Sequence, residues 1–121
     1  MAETVAVLGA SSNPERYAYQ AVTLLAEHGH RVVPVHPSGR PVNGIPCVPT
    51  LAAITDPLDT ITVYLSAKNA TPLIDDILAC RPRRVILNPG TENPELAARC
   101  TAAGIQVVEA CTLVLLKTGQ F

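Results

Sequence analysis

Five short runs rich in valine, isoleucine and leucine recur along this chain, and most of the intervals between them carry helical spacing. The runs are Thr4–Leu8, Arg31–Val35, Asp59–Leu65, Arg84–Leu87 and Ile105–Glu109. A run that is apolar at successive positions, rather than at every second one, reads as a strand buried on both faces. Strand and helix alternating in this way call for a parallel sheet with right-handed crossovers, covered by helices on both sides. The spacing predicts helices over 16–28, 70–80, 94–103 and 112–117. In the first, Ala18, Ala21, Val22 and Leu25 share one face, and Gly29 stands where a left-handed terminating residue belongs. Pro72 fits the first turn of the second. Pro34 cannot donate to a strand ladder, which places it near the end of its strand. Two strand orders suit this pattern, 3-2-1-4-5 and 2-1-3-4-5, and periodicity does not choose between them.

The chain has 121 residues, enough for one domain over 1–121 with a core of its own. Hydrophobic residues make up 48% and charged residues 16%, which excludes a disordered chain. Aromatics are 3%, so the core must be aliphatic. The net charge is −1 and no Lys/Arg stripe occurs, which argues against nucleic acid and against an anionic membrane as partners. The cluster Arg81-Pro82-Arg83-Arg84 reads as a solvated helix end. No signal peptide and no membrane span is visible, so a cytoplasmic location is expected, with Cys47, Cys80, Cys100 and Cys111 reduced. No CxxC occurs, and the histidines His28, His30 and His36 are scattered, so no metal site is expected.

In an open parallel sheet a ligand sits at the carboxyl ends of the strands, where the strand order reverses. That rule selects Gly9–Arg16, His36–Arg40, Ser66–Asn69, Asn88–Asn93 and Glu109–Thr112. The first segment is the most informative. Gly9 permits a sharp turn and a close approach. Ala10, Ser11, Ser12 and Asn13 then lead into a helix, whose free N–H groups form an anion site. Arg16 is poorly placed for the helix dipole unless it serves an anion outside the helix. The competing reading, that Ser-Ser-Asn-Pro merely caps the helix, has equal weight from these residues alone.

A dinucleotide fingerprint starting at Gly9 would need glycine at 11 and 14, and the chain has Ser11 and Pro14. The acid expected after the second strand is replaced by His36-Pro37-Ser38-Gly39-Arg40. His36 and Arg40 tolerate a phosphate on the ribose where an acid would repel it. The site therefore disfavours NAD and suits a phosphorylated adenosine. A Walker-type Gly-Lys-Ser/Thr is absent, which disfavours ATP hydrolysis.

The segment Gly9-Ala10-Ser11-Ser12-Asn13-Pro14-x-Arg16, followed by Tyr19, resembles the opening of small bacterial CoA-binding proteins, which are similar to the CoA-binding domain of the succinyl-CoA synthetase α subunit standing alone. The resemblance continues through Val33–Pro37, Gly44-Ile45-Pro46, Asn88–Asn93 and Glu109–Thr112. It implies a three-layer Rossmann-like α/β fold with a five-stranded parallel sheet of order 3-2-1-4-5. It implies coenzyme A as the cofactor, with the phosphates at Gly9, Ser11, Ser12 and Arg16, and His36-Pro37 facing the adenosine. Asn88 and Gly90, in the fourth turn, are further candidates for contact with the ligand.

Binding without turnover, as carrier, sensor or regulator of CoA or acyl-CoA, is the favoured reading, and no catalytic residue is assigned. The alternative is an enzyme: one acting on acyl-CoA or thiols through Cys111, which precedes a helix at the ligand edge, or the CoA-binding half of a two-chain ligase. Cys111 also reads as a packed small residue. A homodimer is compatible with the sequence, although few aromatics are on hand as interface anchors.

Overall fold

The computed structural model describes residues 2–121. The strands are β1 (Thr4–Leu8), β2 (Arg31–Val35), β3 (Thr60–Val63), β4 (Arg84–Leu87) and β5 (Gln106–Glu109). The helices are α1 (Tyr17–Glu27), α2 (Ala67–Ala70), α3 (Ile74–Cys80), α4 (Pro94–Ala102) and α5 (Thr112–Lys117). All strand pairs are parallel. Side chains from alternate strand positions feed two cores. Ala6, Leu8, Ile61, Val63, Val85 and Leu87 meet α3 and α4 on one face. Val5 and Val7 meet Ala18, Val22, Leu25 and Leu116 of α1 and α5 on the other. This is the three-layer Rossmann-like arrangement expected.

The strand order is 2-1-3-4-5, not 3-2-1-4-5. Two sequence features explain why. Every residue of β3, Thr-Ile-Thr-Val, is buried, as suits an interior strand. Pro34 is the fourth of five residues in β2, and in the other order β2 would need partners on both edges. At the edge of the sheet only one side of β2 is paired along its length. Val35 faces β1, where its carbonyl accepts from Gly9 and Ala10. Pro34 faces outward, and its carbonyl accepts from Val48 N–H at 3.0 Å. The missing proline N–H thus falls where no ladder requires it.

The second helix, predicted over 70–80, is a 3₁₀ turn over Thr71–Leu73 followed by α3, and the short α2 precedes it. Pro72 explains the break, since it cannot donate to the α-helical ladder before it. Gly29 is left-handed at φ +85°, ending α1 as its position predicts. Among the described residues no helix is long and apolar enough to cross a membrane.

Candidate functional site: a cleft at the carboxyl edge

The order reverses between β1 and β3, and there the loops from four strands enclose a cleft of about 450 Å³. Its walls include Gly9, Ser11, Arg16, His36, Ser66 and Gly90. Gly9 has φ +88°, and a Cβ there would sit 2.8 Å from Leu65 Cδ2 and 3.2 Å from the Tyr64 carbonyl carbon. Only glycine allows β1 to turn this close to the end of β3.

The turn after β1 does not cap α1. Asn13 N–H bonds Ser11 Oγ at 3.1 Å, and Glu15 N–H bonds Asn13 Oδ1 at 3.0 Å. These side chains stabilise their own turn. The N-cap position belongs to Arg16, which makes no capping bond. The first bond of the ladder runs from Gln20 N–H to the Arg16 carbonyl at 3.2 Å. The N–H groups of Tyr17, Ala18 and Tyr19 therefore precede the ladder, and Tyr17 and Ala18 stand in the cleft wall with Arg16. Gly9 and Ala10 N–H groups are already committed to the Val35 carbonyl, both at 3.1 Å. They shape the site rather than donate into it.

Two smaller spaces adjoin the cleft. A recess of about 150 Å³ is lined by Ala10, Ser11, Ser12, His36, Ser38 and Arg40. A cavity of about 430 Å³ is mostly apolar, with Leu8, Val35, Pro37, Leu51 and Leu65 among its walls. His36 lines all three spaces. Its Nδ1 accepts the Ser38 N–H at 3.0 Å, so the neutral ring carries its proton on Nε2. The cleft and recess walls hold Arg16, Arg40 and His36 and no carboxylate. Anions are favoured there.

Asn13 and Asn88 stand apart from these walls. Asn13 is an exposed organiser of the first turn. Asn88 lies beneath the cleft, 1% exposed, with both its amide nitrogen and its oxygen bonded. Its Nδ2 donates to Thr62 Oγ1 at 2.7 Å and to the Val63 carbonyl at 2.8 Å, and its Oδ1 accepts Thr112 N–H at 2.9 Å. It joins β3, β4 and α5 from beneath the cleft rather than from its wall. Gly90 lines the cleft, but its N–H is held by Glu92 Oε2 at 3.1 Å. Sequence reasoning missed Tyr17 and Tyr64, both in the cleft wall, and selected the segment of Thr91 without singling that residue out. Tyr64 was masked by its place in an apolar strand run. Burial raises its phenol pKa, so it stays protonated.

Cys111 is half-buried at the start of α5 and does not line the cleft. Burial pushes the thiols of Cys47, Cys80 and Cys100 up, against thiolate formation. His28 and His30 stand at the opposite edge. His30 Nδ1 accepts Glu3 N–H at 3.0 Å, a structural role.

Comparison with known proteins agrees with this geometry. A crystal structure of an uncharacterised protein is 38% identical, covers 100% of this chain and 99% of its own, and superposes with a TM-score of 0.94. A Thermus thermophilus protein is 34% identical over 99% of this chain and 91% of its own, with a TM-score of 0.90. A dinucleotide-forming acetyl-coenzyme A synthetase from Ca. Korarchaeum cryptofilum shares the fold at 22% identity and a TM-score of 0.77, and the chain corresponds to 25% of its length. The Bacillus subtilis protein YneT is 24% identical over 74 residues, 61% of this chain and 55% of its own. The chain thus spans little more than half of that curated relative. The family described as "CoA binding domain" matches residues 3–117, and the chain belongs to that family.

Proposed function

We propose that this protein binds coenzyme A at the carboxyl edge of its sheet and holds it without turning it over. The observation that carries this reading is the uncapped amino end of α1, which presents donors beside Arg16 in a cleft without acids. A diphosphate would accept from the first-turn N–H groups and from the Arg16 guanidinium. The recess of Arg40, His36 Nε2–H and the serines fits a separate phosphate on the ribose. The apolar cavity beside Pro37 has room for the adenine, and the cleft continues past Ser66 and Gly90 for the thiol-bearing arm.

A holding role is supported by what the walls contain. The cleft and the recess offer hydroxyls, one histidine and two arginines with no carboxylate, the cavity beside Pro37 has Asp76 in its wall, and Cys111 lies outside all three. A second reading, one half of a two-chain CoA ligase, draws on the fold shared with the longer synthetase chain. In that case a partner subunit would supply the reacting groups.

The test is direct. The purified protein is denatured and its small molecules are identified by mass spectrometry, and then CoA, dephospho-CoA and NAD are titrated by calorimetry. CoA should bind most tightly and dephospho-CoA more weakly. Acyl-CoA turnover by the protein alone would overturn the holding role.

A further inference from the structure

We infer that Asp76 selects the base of the bound coenzyme, accepting the amino group of a 6-aminopurine and rejecting a 6-oxopurine, an assignment that rests on the coenzyme A reading. Charge divides the spaces of the carboxyl edge. The cleft and the recess hold Arg16 and Arg40 and no acid, whereas the apolar cavity beside Pro37 holds Asp76 and neither lysine nor arginine. A ligand with phosphates at one end and an uncharged base at the other fits that division in one direction only, with the base beside the acid. The cavity, of about 430 Å³, offers Leu8, Val35, Leu51 and Leu65 to the faces of a purine ring.

The edges of the ring fall to the polar side chains of the wall, His36, Thr50, Asn69 and Asp76. A hydroxyl and an amide both donate and accept, so Thr50 and Asn69 accommodate either kind of purine. His36 has its Nδ1 engaged by Ser38 and stands where the cavity meets the recess. An ionised carboxylate only accepts. Adenine presents its N6 amino group as a donor, whereas guanine presents the acceptor O6 at the same ring position. Asp76 gains a charge-assisted bond from the first and faces another acceptor in the second. Its carboxylate is in no ion pair among the described residues, while the adjacent Asp75 pairs with Arg99 at 2.6 Å. Both acids stand in the first turn of α3, where they suit the helix dipole. That contribution acts on stability and is blind to the base.

The full chain is titrated by calorimetry with adenosine 3′,5′-bisphosphate and with guanosine 3′,5′-bisphosphate, which carry the same phosphates and differ in the base. The adenosine nucleotide should bind about 10-fold or more tightly than the guanosine nucleotide. Asp76→Asn supplies an amide that can donate to O6, and it should bring the two affinities within about 3-fold of each other. Asp76 is exposed, and circular dichroism verifies that the variant folds. Equal binding of the two nucleotides by the unaltered protein would overturn the inference. So would a preference that Asp76→Asn leaves unchanged, which would assign the carboxylate to the helix dipole alone. CoA titrated in parallel separates the two levels. CoA bound by a protein indifferent to the base overturns the role of Asp76 only, whereas no binding of CoA or of either nucleotide overturns the coenzyme A reading together with it.

Discussion

The two edges of this sheet are built from the same five strands and treat charge in opposite ways. At the amino edge, Glu3 is the hub of a closed cluster. It accepts Thr60 Oγ1–H at 2.6 Å and pairs with Arg84 at 3.3 Å, while Arg84 Nε donates to Thr60 Oγ1 at 2.8 Å. Arg83 pairs with Asp59 at 3.1 Å, and the Arg84 guanidinium stacks on the Phe121 ring at 4.4 Å. At the carboxyl edge, Arg16 and Arg40 have no carboxylate partner among the described residues, and an 11-residue helix opens without a cap. Paired cations hold the fold together. Cations left facing a cleft beside free backbone donors favour an anion there, which is what the proposed function uses.

The largest effect expected from breaking this contrast lies beneath the cleft. Asn88→Leu removes three buried bonds and strands Thr112 N–H and the Val63 carbonyl. Chemical denaturation should show a loss of about 2–4 kcal/mol, since each buried group left unpaired costs about 1–3 kcal/mol. Gly9→Ala should follow. Its Cβ would press on Leu65 at 2.8 Å from a left-handed backbone, at a cost of about 1–3 kcal/mol, and ligand binding should weaken with it. At the amino edge, Glu3→Gln should cost about 1–2 kcal/mol, because Arg84 keeps 18% of its side-chain exposure and is partly rehydrated. It should leave ligand affinity unchanged. If it weakened the ligand as strongly as an Arg16 variant, the division between the edges would fail.

The smallest effect is in pH. Burial is the main cause that lowers the His30 pKa below 6.5, outweighing the attraction of Glu3. The folded state then binds fewer protons than the unfolded state between those two values. Stability is full above 6.5 and falls as pH drops through the window below it. The thermal midpoint should decline on acidification from pH 7 to 5.5, and less so in His30→Gln.

The sequence showed where the carboxyl-edge cleft lies because short apolar runs mark the strands and the turns follow them. It did not decide the strand order, although Pro34 held the clue: a residue without a donor belongs on an edge. The candidacy of Arg16 was legible from its clash with the helix dipole, and the structure places it in the cleft wall. The cap question was not, because Ser11 and Asn13 were equally suited to bond α1 or their own turn, and only the geometry separates these. Asn88 looked like a contact residue because it sits at the switch point. Its three partners lie 24 to 26 residues away in sequence, beyond what local patterning reveals.

The central claim is that the open edge is an anion site for coenzyme A built around Arg16. Calorimetric titration of CoA into the protein and into Arg16→Ala tests it most directly. Saturable binding should fall by about 10-fold or more in the variant, as loss of a charge-assisted bond worth about 1.5–3 kcal/mol requires, with the unfolding midpoint unmoved. Equal affinity in the two proteins, or NAD bound as tightly as CoA, would contradict the account.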